Sequence, residues 1–308
     1  MCSYYRTVLE DVKIPSISLK VCRVDDDRFL ANTYLIESSS GLEILLKPWI
    51  VGAELANLAR ECSMDFLRTM YYLVDEIKVA SYANITEVVP LAGALYYSIA
   101  EAFEEVYGET INRCFVGAKR VSTEDGWETN LAYENFEALT PESIIIVGDT
   151  IATGGTIIKI LETTIRQRDD IQALVVFSIA GGVDGAVRLK EFADTIDIPL
   201  YVFFSNAIFG VEPNGTDMPW LSPHTISPAT NLNLAKEVYG EWLGRNWCSV
   251  WDWGERAKQP TKHLEDLIER CDAVLSESTD PKTIQVLTTV KKEASNTLND
   301  LHSTLVLK

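Results

Sequence analysis

Residues 144–156 read Ile-Ile-Ile-Val-Gly-Asp-Thr-Ile-Ala-Thr-Gly-Gly-Thr. Four aliphatic residues predict a buried strand, and an apolar-periodic run from Ile157 predicts a helix. Between them lies a compact loop of small and hydroxyl residues. Such a loop at a helix N-terminus is suited to hold phosphate. Backbone N–H groups converge there, the helix dipole favours negative charge, and glycines let a ligand approach the main chain. Asp149 stands at the mouth of the loop, where a carboxylate can accept hydrogen bonds from sugar hydroxyls. Phosphate and sugar contacts in one short segment point to a ribose phosphate.

Two commoner phosphate loops are excluded. The segment has no Gly-Lys-Ser/Thr ending and no GxGxxG spacing. It resembles instead the phosphoribosyl pyrophosphate (PRPP) signature of type I phosphoribosyltransferases, in which four hydrophobic residues precede two acidic ones, a short spacer and Ala-Thr-Gly-Gly-Thr. This chain departs from that pattern at Gly148, where the family usually carries the first acid. An ordinary strand-turn-helix is the plain alternative.

The surrounding sequence alternates strands and helices. Strands are expected at 87–90, 114–117, 143–147, 173–179 and 200–204, and helices at 95–107, 157–167 and 186–193. That rhythm predicts an α/β fold with a doubly wound, mostly parallel sheet, its ligands at the carboxyl ends of the strands. Before it, strands at 16–24 and 33–46 are expected, the latter turning through residues 38–41 as a hairpin, followed by a helix from 53 to about 78. After a Pro- and Gly-rich loop at 205–228, helices are expected at 231–244, 262–278 and 281–300. The organisation is therefore an N-terminal hairpin and helix (1–85), serving as a hood or dimer contact, an α/β core (86–228) and a helical extension (229–308). Trp242, Trp247, Trp251 and Trp253 in the extension read as helix packing or a subunit interface, or else as a platform for a base or a partner.

The resemblance, nearest in layout to uracil-type members, assigns further roles. Leu91, Ala92 and Gly93 correspond to a loop that presents amides to pyrophosphate. Lys119 and Arg120 open a polar stretch, 121–135, that corresponds to a mobile loop carrying basic residues; a solvated surface pair is the other reading. Ala152, Thr153, Gly154, Gly155 and Thr156 would hold the 5′-phosphate, Asp149 the ribose hydroxyls, and Thr150 would belong to the same PRPP-binding loop. Phe209, Asp217 and Trp220 are candidates for the base, within a segment that reads equally well as a proline-bounded surface turn.

The implied chemistry is transfer of phosphoribose to a nitrogenous base with release of pyrophosphate, Asp149, Lys119 and Arg120 being the catalytic set. Mg²⁺ would be bound through substrate oxygens, with no dedicated protein site. A PRPP- or nucleotide-sensing regulator of the same fold is the alternative, favoured by Gly148, and a partner-binding scaffold is a third. A homodimer is expected from the resemblance alone.

Composition narrows the partners. A net charge of −18 disfavours non-specific nucleic-acid binding. No stretch is long and apolar enough for a membrane span, and charges at Glu10, Asp11 and Lys13 interrupt any signal-peptide core, so a cytoplasmic protein is expected. Six scattered cysteines without a CxxC pair, and three histidines, fit neither a zinc centre nor a disulfide scaffold.

Overall fold

The computed structural model describes residues 7–15, 17–91, 94–123, 126–247 and 253–306. In chain order the strands are β1 (Val8–Val12), β2 (Val21–Asp25), β3 (Thr33–Ile36), β4 (Ile85–Leu91), β5 (Asn112–Thr123), β6 (Gly126–Asn135), β7 (Ile144–Gly148), β8 (Ala173–Ser178), β9 (Gly181–Gly182), β10 (Leu200–Ser205) and β11 (Ile208–Phe209). The helices are α1 (Ser39–Leu46), α2 (Gly52–Leu73), α3 (Ile99–Tyr107), α4 (Gly155–Gln167), α5 (Val183–Ala193), α6 (Ala229–Asn246), α7 (Trp253–Lys258), α8 (Pro260–Glu277) and α9 (Pro281–Val306).

One sheet runs in the order β1-β2-β3-β10-β8-β7-β4-β5-β6. Its strands from β3 to β5 pair in parallel, while β1, β2 and β6 join antiparallel at the edges. The continuous apolar runs of β7, β8 and β10 are buried throughout, as strands covered on both faces must be. Period-two alternation divides their side chains. Ile144, Ile146, Val175 and Phe177 pack with α2 and α3, whereas Ile145, Val147, Leu174 and Val176 pack with α4 and α5. On the first face Phe66 of α2 stacks on Phe177 at 4.5 Å between ring centroids. A third core joins α6, α8 and α9 to Leu45, Leu46, Phe209 and Trp220. The α/β class, the parallel sheet and the added C-terminal helices agree with expectation. Among the described residues no helix is long and apolar enough to cross a membrane.

Three local expectations are corrected. Residues 38–46 are not the second half of a hairpin: Ser38 Oγ accepts the Gly41 N–H at 3.3 Å and caps α1, which buries Ile44, Leu45 and Leu46. Gly41 is there for close packing, since a Cβ would run into Ser205 Oγ and approach Cys62 Sγ at 2.8 Å. Beyond Gly117, strand β5 continues to Thr123, and β6 returns antiparallel to Asn135. The stretch 121–135, expected as a loop, is thus largely one arm of a two-stranded ribbon, whose polar residues hid it from an apolar pattern. The helix expected at 95–107 is also divided. A 3₁₀ turn covers Ala94–Tyr97, and Ser98, in the left-handed region at φ 49°, separates it from α3.

Candidate functional site

Strand order reverses between β4 and β7. From β4 the chain moves outward to β5 and β6, then returns to β7 on the other side and proceeds through β8 and β10. The crevice at such a reversal is where open parallel sheets bind ligands. The loop 149–154 emerges there, from the carboxyl end of β7.

Main-chain bonds tie this loop to its neighbours. The Asp149 N–H donates to Phe177 O at 3.1 Å and the Ile151 N–H to Ala180 O at 3.0 Å. The Gly182 and Gly185 N–H groups donate back to Ile151 O at 2.6 Å and Ala152 O at 2.9 Å. Gly154 precedes α4 with φ +79°, and a Cβ on it would lie 3.2 Å from the Gly185 Cα and carbonyl oxygen. Two glycines therefore let the loop rest directly on the start of α5. The bond from Ile158 N–H to Gly154 O leaves the N–H groups of Gly155, Thr156 and Ile157 ahead of it at the helix mouth. Arg188 Nη1 donates to Thr153 O at 3.1 Å and brings a cation to the loop. Thr156 Oγ1 lies 3.2 Å from Thr129 Oγ1 on β6, so the ribbon reaches the same place.

A cavity of about 630 Å³ opens over this loop. Asp149 keeps a partial opening to it while protein atoms crowd its carboxyl group. Burial pushes that carboxyl up to about 7, against the opposing pull of the Thr150 N–H, 2.8 Å from Oδ1, and of the Lys258 charge. Such a group ionises near neutrality.

Gly148 has a steric explanation. A Cβ there would lie 2.6 Å from Ile99 Cδ1 and 3.0 Å from Tyr97 Cδ1. Tyr97 is fully buried; its hydroxyl accepts the Ile179 N–H at 3.1 Å, and its ring meets Phe177 at 5.8 Å and Trp253 at 5.2 Å. The volume a second acid would need is occupied by side chains flanking Ser98. We expect Gly148→Asp to lower stability by about 1–3 kcal/mol through overpacking. Urea denaturation checks this, and an unchanged midpoint would show that Tyr97 and Ile99 yield freely.

Of the residues singled out in the sequence, Asp149, Thr150, Ala152, Thr153, Gly154, Gly155, Thr156 and Asp217 line the cavity together. Phe209 and Trp220 do not. Both are completely buried, edge to face at 5.0 Å, and Trp220 Nε1 donates to Leu45 O at 3.1 Å. They are core residues because the C-terminal helices cover them. Leu91 ends β4 opposite Gly117, away from the cavity lining, and Ala92 and Gly93 lie outside the described residues. Lys119 and Arg120 sit on β5 opposite Asn130 and Thr129; their side chains lie outside the described residues. Trp251 is likewise outside them.

Sequence reasoning missed Arg188 and the wall formed by α7 and α8, which includes Trp253, Glu255, His263, Asp266 and Arg270. Trp253 was visible only as a member of an aromatic cluster. Nothing local marks Arg188, which lies far along the chain from the loop that it touches.

No family model matches this chain, and no curated relative matches its sequence. Several solved structures are similar. Adenine phosphoribosyl transferase from Trypanosoma brucei, in complex with AMP, pyrophosphate and ribose-5-phosphate, is 10% identical over 61% of this chain and 87% of that one, with a TM-score of 0.37. The enzyme from Saccharomyces cerevisiae is 12% identical over 47% and 79% of the two chains, at 0.33. The enzyme from Leishmania donovani is 16% identical over 56% and 84%, at 0.32. Similarity of this degree decides nothing about chemistry, which rests on the site's own residues.

Proposed function

We propose that this protein transfers the phosphoribosyl group of PRPP to a nitrogen of a heterocyclic acceptor. The observation that carries this reading is the loop 149–156: a crowded carboxylate and a helix N-terminus side by side at the sheet's switch point. In the reaction the bond from C1′ to the pyrophosphate oxygen breaks, and its electron pair leaves with pyrophosphate. A bond from the acceptor nitrogen to C1′ forms, and the acceptor gives up a proton. This requires positioning and charge stabilisation, with no protein nucleophile.

Amides of 153–156 and the hydroxyls of Thr153 and Thr156 hold the 5′-phosphate in this scheme, with Arg188 adding positive charge. Asp149 accepts from the ribose hydroxyls. Lys119 and Arg120, which belong to the ribbon that touches Thr156 through Thr129, neutralise pyrophosphate. Among the described residues no three His, Cys, Asp or Glu side chains gather as a metal set. Asp149, at the cavity, would stand beside a substrate-held Mg²⁺, which when bound would neutralise pyrophosphate charge. Arg188→Gln should raise the KM for PRPP by about tenfold, the range of one charged hydrogen bond. Steady-state kinetics check this, and an unchanged KM would remove Arg188 from the phosphate site.

Pyrophosphate release from PRPP and Mg²⁺ across a panel of heterocycles tests the reading. Acceptor-dependent release supports transfer. Measurable PRPP affinity without release from any acceptor supports the second reading, a PRPP-sensing protein, which the filled space at Gly148 favours.

A further inference from the structure

The ribbon of β5 and β6 bends over the start of α4. Gly117 pairs with Tyr133 and Ala118 with Leu131, so Ala132 is an extra residue on β6 and forms a bulge. A bulge bends the strand that carries it and increases its twist. Gly117 permits the bend, since a Cβ on it would lie 3.0 Å from Tyr133 Cβ. Beyond the bulge, alternation puts Thr129 and Leu131 on one face and exposed Asn130 on the other. Leu131 packs against the core that contains Ile157, Ile160 and Leu161 of α4. Thr129 reaches the cavity, and among the described residues it is the ribbon's contribution to the lining.

What Thr129 meets there is a hydroxyl. Its Oγ1 lies 3.2 Å from Oγ1 of Thr156, in the first turn of α4. The helix is preceded by Gly154, which offers no side chain to cap the amides that follow. Each threonine hydroxyl has one proton and two lone pairs. A bond between the two uses one proton and leaves the other for a further acceptor. Leu131 already seats the ribbon by apolar contact, so pinning it does not require a hydroxyl pair at the cavity.

We infer that Thr129 is a phosphate ligand, forming with Thr156 a two-hydroxyl clamp on the 5′-phosphate that is supplied partly from the ribbon. Hydrogen bonds to a charged oxygen are roughly twice as strong as neutral ones, so exchanging the hydroxyl pair's own bond for phosphate is favourable. The three terminal oxygens of a phosphate monoester can accept from both hydroxyls and from the α4 amides together. This assignment rests on the ribose-phosphate reading of the loop for the identity of its ligand. It makes the ribbon part of the phosphate site. It also ties that site to the strand opposite, where Arg120 pairs with Thr129 and Lys119 with Asn130.

The test is a calorimetric titration of the full chain with ribose 5-phosphate, repeated with inorganic phosphate. Thr129→Val keeps the branched shape and removes the hydroxyl. It should weaken both ligands by about tenfold, and Thr129→Ser, which returns the hydroxyl, should restore most of the affinity. A role confined to pinning the ribbon would instead lower the melting temperature and leave both affinities as they were. Unaltered affinity in Thr129→Val, a loss that Thr129→Ser does not reverse, a loss with ribose 5-phosphate that inorganic phosphate does not share, or no ribose 5-phosphate binding by the native chain would each overturn the assignment. Binding that depends on Thr129 without pyrophosphate release from any acceptor would defeat transfer and leave the clamp standing. Acceptor-dependent release with a KM for PRPP unchanged in Thr129→Val would do the reverse.

Discussion

Asp149→Asn is expected to reduce pyrophosphate release by at least about 10- to 100-fold and to remove its pH dependence near neutrality. The carboxyl group ionises at about 7 because burial opposes its charge, against an ordinary value of 3.8. A sugar hydroxyl donates to the ionised form, so PRPP affinity should climb between pH 6 and 8 in the native protein. The asparagine variant isolates this effect from titration of the ligand's own phosphate, because only the native protein carries the carboxyl. Stability moves the opposite way. The folded chain binds an extra proton between about 4 and 7, so this contribution is full below about 4 and is lost as pH rises through 7. Asp149→Asn should therefore melt higher than the native protein at pH 8, by about 2–4 °C, and alike near pH 4. Calorimetric PRPP titrations at pH 6, 7 and 8, and thermal melts at pH 4 and 8, measure both. Activity within threefold of native would mean that Asp149 does not hold the ribose.

Gly154→Ala should damage the phosphate site more than the fold. At φ +79° a non-glycine residue costs roughly 1–2 kcal/mol, and the new methyl would meet the Gly185 backbone at 3.2 Å. Relief requires lifting loop 149–154 from α5, which turns the α4 amides away from their common point. We expect ribose 5-phosphate affinity to fall by tenfold or more. Gly154→Asn tolerates the left-handed backbone yet keeps the contact, so it should lose affinity nearly as far. Gly185→Ala should behave alike from the other side, where a Cβ would lie 2.5 Å from Ile151 Cγ2 and 2.9 Å from Ala152 O. Calorimetry with ribose 5-phosphate gives the readout, and retained affinity in all three would detach the glycine contact from ligand binding.

What could be read from the chain depended on how local the physics was. The run Ile144–Gly148, its loop and α4 were legible because burial on both sheet faces demands consecutive aliphatics and the helix mouth demands small residues. Gly41 misled because its reason is tertiary: a serine far along the chain needs the space, and the glycine reads as a turn only when that neighbour is unknown. Phe209 and Trp220 read as candidates to stack on a base or, equally, as part of a proline-bounded surface turn, yet helices formed later in the chain bury them. The wall of α7 and α8 was illegible for a related cause. Which face of α8 looks inward is set by Arg256 and His263 bonding to carbonyls between Ile44 and Ile50, a docking that leaves no periodic trace. Gly148 was seen as a missing acid, but only the packing of Tyr97 and Ile99 explains it.

The most direct measurement is an amide NMR titration of the ¹⁵N-labelled protein with ribose 5-phosphate. The largest shifts should fall on the amides of Asp149–Ile157, with a smaller response at the Arg188 side chain, saturating together with one affinity. Shifts centred elsewhere, or none at the α4 N-terminus at saturating ligand, would contradict a ribose-phosphate site in this loop.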